Sequence, residues 1–69
     1  MKLAIHLRNE ADIVIDDFEK IEYQYQQSHI IKRDNFSDLI LTPTTTYNFQ
    51  GNRLISVLGS DILYLELLS

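Results

Sequence analysis

The chain has 69 residues, 45% of them hydrophobic, with a formal net charge of −4 at pH 7. That length holds one domain, the hydrophobic content and four tyrosines exclude a disordered chain, and the negative balance disfavours direct contact with nucleic acid or an anionic membrane. No cysteine and two histidines leave no disulfide and no ligand set for a structural zinc, so a domain this small has few means of stabilising itself beyond its core and self-association.

In chain order, Leu3, Ile5 and Leu7 alternate with Lys2, Ala4, His6 and Arg8, the period-two pattern of a half-buried strand. Asn9-Glu10 makes a polar break. Ala11 to Asp16 then resumes as a β-branched run with Ile13 and Ile15 on one face, which predicts a hairpin with the first strand. The N-terminus is too short and too interrupted for a secretory signal, and no run approaches the roughly 18 apolar residues of a membrane span. A soluble cytoplasmic protein is expected.

Asp16-Asp17 ends the second run, and Phe18 is expected to anchor the connection against the core. The stretch Phe18 to Gln27 fits two templates. As a helix it has Asp16 and Glu19 in capping-box spacing, with Phe18, Ile21 and Tyr25 on one face. As a strand it alternates Ile21, Tyr23 and Tyr25 with Glu22, Gln24 and Gln26, and only this template accounts for Tyr23. The strand is preferred. Ser28 to Arg33 reads as a further strand closed by a turn at Asp34-Asn35, and Phe36 is expected to pack inward. Ser37 to Thr42 reads as another strand, ended by Thr42-Pro43 because proline lacks a donor and restricts the residue before it.

The chain is organised around Thr45 to Leu68. Gly51-Asn52 separates two runs rich in β-branched and aromatic residues, and such a pair commonly supplies the positive φ angles of a tight hairpin turn. A two-residue loop would set Phe49 against Leu54, Tyr47 against Ser56 and Thr45 against Leu58 on the core face, with Asn48 and Ile55, and Thr46 and Val57, on the other. Gly59-Ser60-Asp61 breaks the chain again. Ile62 to Leu68 follows, apolar on both faces apart from Glu66, and its length favours a strand over a helix. Two apolar faces need two covers, which implies a closed barrel, a central strand or a partner. The expected fold is mainly β: one domain spanning residues 1–69, a small antiparallel meander or barrel of six to eight short strands, with residues 17–27 as the place where a short helix could replace a strand.

Glu10, Asp12, Asp16, Asp17, Glu19 and Glu22 lie within thirteen residues that hold one base, Lys20. An acidic β surface could imitate nucleic-acid phosphates in the basic groove of another protein; the plain alternative is a solvated surface that keeps a small protein soluble. The aspartate spacing lacks a calcium-hand pattern, and neither His6 nor His29 has a serine or carboxylate at a recognised interval. His6 lies opposite the apolar face of its strand, where an exposed histidine is expected. With no nucleophile, phosphate-loop or dinucleotide motif, the expectation is a protein that is not an enzyme and takes no metal or cofactor. Tyr23, Tyr25, Tyr47, Phe49 and Tyr64 could form a binding platform, although such residues more often fill a core.

The MKLAIHLRN start, the acidic IVIDDFEKIEY segment and the closing SDILYLEL strand resemble the short acidic β-rich accessory proteins carried by phages and prophages of Gram-positive bacteria. The resemblance is compositional and implies a stoichiometric binder, some such proteins being inhibitors of host enzymes, and a place in the host cytoplasm. The expected function is a small protein-binding module, in its sharper form an inhibitor that turns the Glu10 to Glu22 carboxylates against a nucleic-acid-binding host protein. The alternative is an assembly subunit that forms homo-oligomers through Ile62, Tyr64 and Leu68. The partner in either case is a protein.

Overall fold

The computed structural model describes residues 1–68. Among these residues are seven strands: β1 (Lys2–Leu7), β2 (Asp12–Asp16), β3 (Lys20–Tyr25), β4 (Gln27–Ile31), β5 (Thr46–Gln50), β6 (Leu54–Leu58) and β7 (Ile62–Leu68). They form two antiparallel sheets, ordered β2-β1-β7 and β4-β3-β5-β6. The fold is therefore mainly β, as expected. Leu3, Ile5 and Ile15 of the first sheet meet Ile21, Tyr23, Tyr47, Phe49 and Val57 of the second in one buried cluster, so the sheets pack face to face. The period-two alternation causes this, since each strand turns every second side chain away from water.

The chain crosses between sheets at Asp17 and Phe18. Asp17 takes a φ of 53°, and Phe18 is buried behind it with its ring edge-on to Phe36 at 6.5 Å. No helix forms between residues 17 and 27; β3 begins at Lys20 and buries Ile21 and Tyr23. The chain then reverses through Gln26, whose φ is 69°. Two buried alternating side chains against the other sheet outweigh local helix propensity here.

Ser37 to Thr42 is not a strand. A 3-10 turn spans Arg33–Asp38, and the residues after it join no ladder. Asn35 sets the turn by accepting from the Lys32 amide at 2.6 Å and donating to the Ile30 carbonyl at 3.1 Å, which also ends β4. Beyond it, the Tyr47 hydroxyl donates to the Ile40 carbonyl at 2.7 Å and accepts from the Thr42 amide at 2.8 Å. A buried side chain thus satisfies backbone groups that a neighbouring strand would otherwise have taken.

The β5–β6 hairpin differs from expectation by one residue. Gln50 pairs with Leu54, Phe49 with Ile55 and Tyr47 with Val57, so the loop has the three residues Gly51, Asn52 and Arg53. The slip turns β6 over: Val57 is buried, Ile55 packs against the core, and Leu54 is 71% exposed. The two-residue loop would have faced Leu54, Ser56 and Leu58 inward; the observed register gives up two leucines but keeps the serine hydroxyl out of the core and packs the β-branched Ile55 and Val57 there. Neither glycine has a positive φ. Gly51 is required by close approach instead, since a Cβ there would lie 2.7 Å from the Asp16 carbonyl oxygen.

That approach also covers one edge of the first sheet. The Asn52 amide donates to the Asp16 carbonyl at 2.8 Å, the Asp16 amide donates to Asn52 Oδ1 at 3.0 Å, and Arg53 Nη2 donates to the Val14 carbonyl at 3.0 Å. The hairpin loop thus occupies the Val14 to Asp16 part of the outer edge of β2. On the opposite edge, β7 has no backbone partner beyond β1 among the described residues. No helix among the described residues is long and apolar enough to cross a membrane.

Candidate functional site

The outward face of the first sheet carries three rows set by its register: Asp16, Lys2 and Leu68; Val14, Ala4 and Glu66; and Asp12, His6 and Tyr64. His6 is the centre of this face. Its Nδ1 lies 2.8 Å from Asp12 Oδ1, its Nε2 lies 2.6 Å from Glu66 Oε1, and its ring stacks on Tyr64 with centroids 4.2 Å apart. The side chain is 20% exposed, far from the open strand histidine expected.

A neutral imidazole offers one N–H, whereas two carboxylates ask for two, so the arrangement suits the imidazolium. Partial burial opposes the charge, but hydrogen bonds from Asp12 and Glu66 and their negative charges outweigh it, and His6 is held above its ordinary value of 6.5. A raised folded-state pKa stabilises the fold below the unfolded value, and that contribution fades as pH rises through the folded one. Wild-type protein should therefore exceed His6→Gln in urea midpoint at pH 5.5 and lose that advantage by pH 9. Equal differences at both pH values would show that the imidazolium contributes nothing.

The cluster does not form a metal site. The two nitrogens point at different carboxylates, so the donors do not converge, and no group of three metal-ligating side chains is poised for an ion among the described residues. His29 is engaged in another way: its Nε2 donates to the Tyr25 carbonyl at 3.1 Å, and its ring stacks on Tyr23. Of the five aromatic residues considered as a platform, Tyr23, Tyr47 and Phe49 are core, while Tyr25 and Tyr64 are exposed in different sheets.

The six acidic residues are divided by the fold. Asp12 and Asp16 lie on the outer face of β2, the former bound to His6 and the latter 3.6 Å from Lys2. Glu22 lies on β3, on the outer face of the other sheet. There the Lys20 ammonium, by hydrogen bond and charge, holds it below its ordinary 4.5, helped by Gln50 at 2.8 Å. Glu10 sits at the β1–β2 turn with a φ of 72°, at the far end of the hairpin from Asp16. Asp16, Asp17 and Glu19 share the corner between sheets, each exposed.

The three residues named for an oligomer interface also separate. Tyr64 is 47% exposed and Leu68 39%, whereas Ile62 is turned into the core at 2%. Leu63 takes its place at the surface, 52% exposed, where a bulge opposite the His6–Leu7 step leaves it out of the β1 ladder. The hairpin spacing of Lys2–Leu7 and Asp12–Asp16 already brings Asp12 opposite His6. Glu66 could not be found that way, because 60 residues separate it from its partner.

The candidate site is thus an open strand edge, apolar apart from Glu66, on a two-sheet β domain, flanked by one tied histidine. No family model, curated protein or solved structure matches the chain.

Proposed function

We propose that this is a small non-enzymatic protein-binding module of the cytoplasm that acts by strand addition at β7, and that its role is assembly. The observation that carries this is the edge of β7. It is the longest strand at seven residues, its one charged residue, Glu66, is occupied by His6, and it has neither the lysine nor the proline that commonly blunts an exposed edge. Leu63, Tyr64 and Leu68 add exposed apolar surface beside its unpaired backbone. The histidines support a role without catalysis, since His6 has both nitrogens tied to carboxylates and His29 Nε2 is held by a carbonyl.

The second reading, an inhibitor that presents acidic residues to a nucleic-acid-binding protein, draws on Asp16, Asp17 and Glu19 at the corner between sheets. It has less geometry behind it, because Glu10 and Glu22 lie elsewhere and Asp12 is paired. Light scattering separates the two. Assembly through β7 predicts an oligomer that persists in high salt, which screens charges but not apolar or backbone contacts, and a folded monomer for Leu63→Lys. A wild-type chain that stays monomeric at all concentrations overturns assembly.

A further inference from the structure

We infer that the open edge of β7 takes up β7 of a second copy, antiparallel across a two-fold axis beside Leu65, joining two sheets into one ordered β2-β1-β7-β7-β1-β2. This rests on the strand-addition reading above and names its partner and geometry. The sheet has two edges, and the loop residues Asn52 and Arg53 occupy the Val14 to Asp16 part of the one at β2, so β7 is the edge left open along its length among the described residues.

The pattern of β7 then selects the register. A two-fold axis through a residue pair keeps faces matched, outer row against outer row, whereas an axis between residues would set the outer row of one copy against the inner row of the other. Centred on Leu65, the axis places Leu65 against itself, Leu67 against Leu63 of the second copy and Tyr64 against Glu66 of the second copy, with the end pair Leu68 and Ile62 falling at the bulge. Apolar residues meet apolar ones, and the single charge of each strand meets a tyrosine. Centred on Glu66, it would set two carboxylates directly opposite each other, which is unfavourable. Centred on Tyr64, it would leave Leu67 and Leu68 beyond the paired stretch and set Glu66 against the buried Ile62.

The absence of cysteine from the chain makes the register directly testable. Residues directly opposite in an antiparallel pair have Cα atoms about 4.5–5.5 Å apart, within disulfide reach, while diagonal neighbours at about 7–8 Å are not. Tyr64→Cys and Glu66→Cys proteins, mixed and mildly oxidised, should form a disulfide-linked heterodimer, and neither should cross-link alone. Cross-linking of Glu66→Cys or Tyr64→Cys by itself overturns the register while leaving strand addition standing; a monomer by light scattering overturns both. Large assemblies without the heterodimer would mean pairing of β7 with another edge and would overturn the two-fold axis. Should the cysteine variants fold poorly, amide exchange of wild-type protein decides: exchange over residues 64–68 should slow as concentration rises, and concentration-independent exchange overturns the proposal.

Discussion

Phe49→Ala is expected to abolish cooperative folding at 25 °C. Phe49 is 0% exposed, lies between Ile21 and Ile55 across the inner face of the four-stranded sheet, and belongs to the cluster that joins both sheets. Truncating a buried phenylalanine costs about 3–5 kcal/mol, because the lost transfer energy is joined by the cost of the cavity left behind. A domain of this size has at most a stability of that order to lose. Loss of amide dispersion in NMR and of a urea transition is the expected result. Leu54→Ala is the control: at 71% exposure it should change stability by less than about 0.5 kcal/mol. A large loss at Leu54 would mean that the hairpin register is not the one described, and a small loss at Phe49 that its ring is not in the core.

Gly59→Ala should destabilise more than Gly51→Ala, although Gly51 is the residue in the hairpin loop. A Cβ on Gly59 would overlap the Thr42 carbonyl oxygen and also press on the Tyr47 ring, so a backbone atom and a buried side chain would both have to move. Thr42 cannot easily retreat: its amide is held by the Tyr47 hydroxyl at 2.8 Å, while Gly59 itself donates to the Thr45 carbonyl at 2.7 Å. Overpacking of this kind costs about 1–3 kcal/mol, with more expected where backbone blocks relaxation. At Gly51 the overlap is smaller: a Cβ would lie 2.5 Å from Ile15 Cγ2 and 2.7 Å from the Asp16 carbonyl oxygen. Urea midpoints of the two variants give the order directly, and an equal or reversed order would place the Thr42 segment elsewhere.

The strands with one buried face were legible because alternation is a direct image of the pleat. Leu3 and Ile5 are buried as the pattern requires, and Tyr23, which favoured a strand in the stretch Phe18 to Gln27, is buried in the core on β3. Where the sequence misled, tertiary contacts had settled the matter. Leu39, Ile40 and Leu41 have the composition of a strand, yet the backbone around Ile40 and Thr42 is bound by a tyrosine hydroxyl from elsewhere in the chain. The Gly51-Asn52 pair suggested a two-residue turn, whereas the approach of Asp16 and the burial of Ile55 and Val57 chose three. Local turn chemistry could not see either. The His6 cluster was half visible: Asp12 follows from hairpin arithmetic, but Glu66 arrives from a distant strand.

The position of β7 beside β1 also governs how the molecule comes together in time. Sheets with neighbours in sequence, such as β1 with β2 or β5 with β6, can zip from their turns. The β1–β7 ladder cannot, because its contacts close a loop of some 60 residues, as between His6 and Glu66. Until that closure, β1 keeps its own second edge open and the inner face of its hairpin lacks Ile62, Leu65 and Leu67. Pairing so remote in sequence puts folding toward the slow end of small domains, roughly milliseconds to seconds. During that interval the open edge of β1 can accept β7 of another chain, the more often the higher the protein concentration. A dimer with β7 exchanged between chains would therefore be the kinetic competitor of the single-chain fold at high protein concentration.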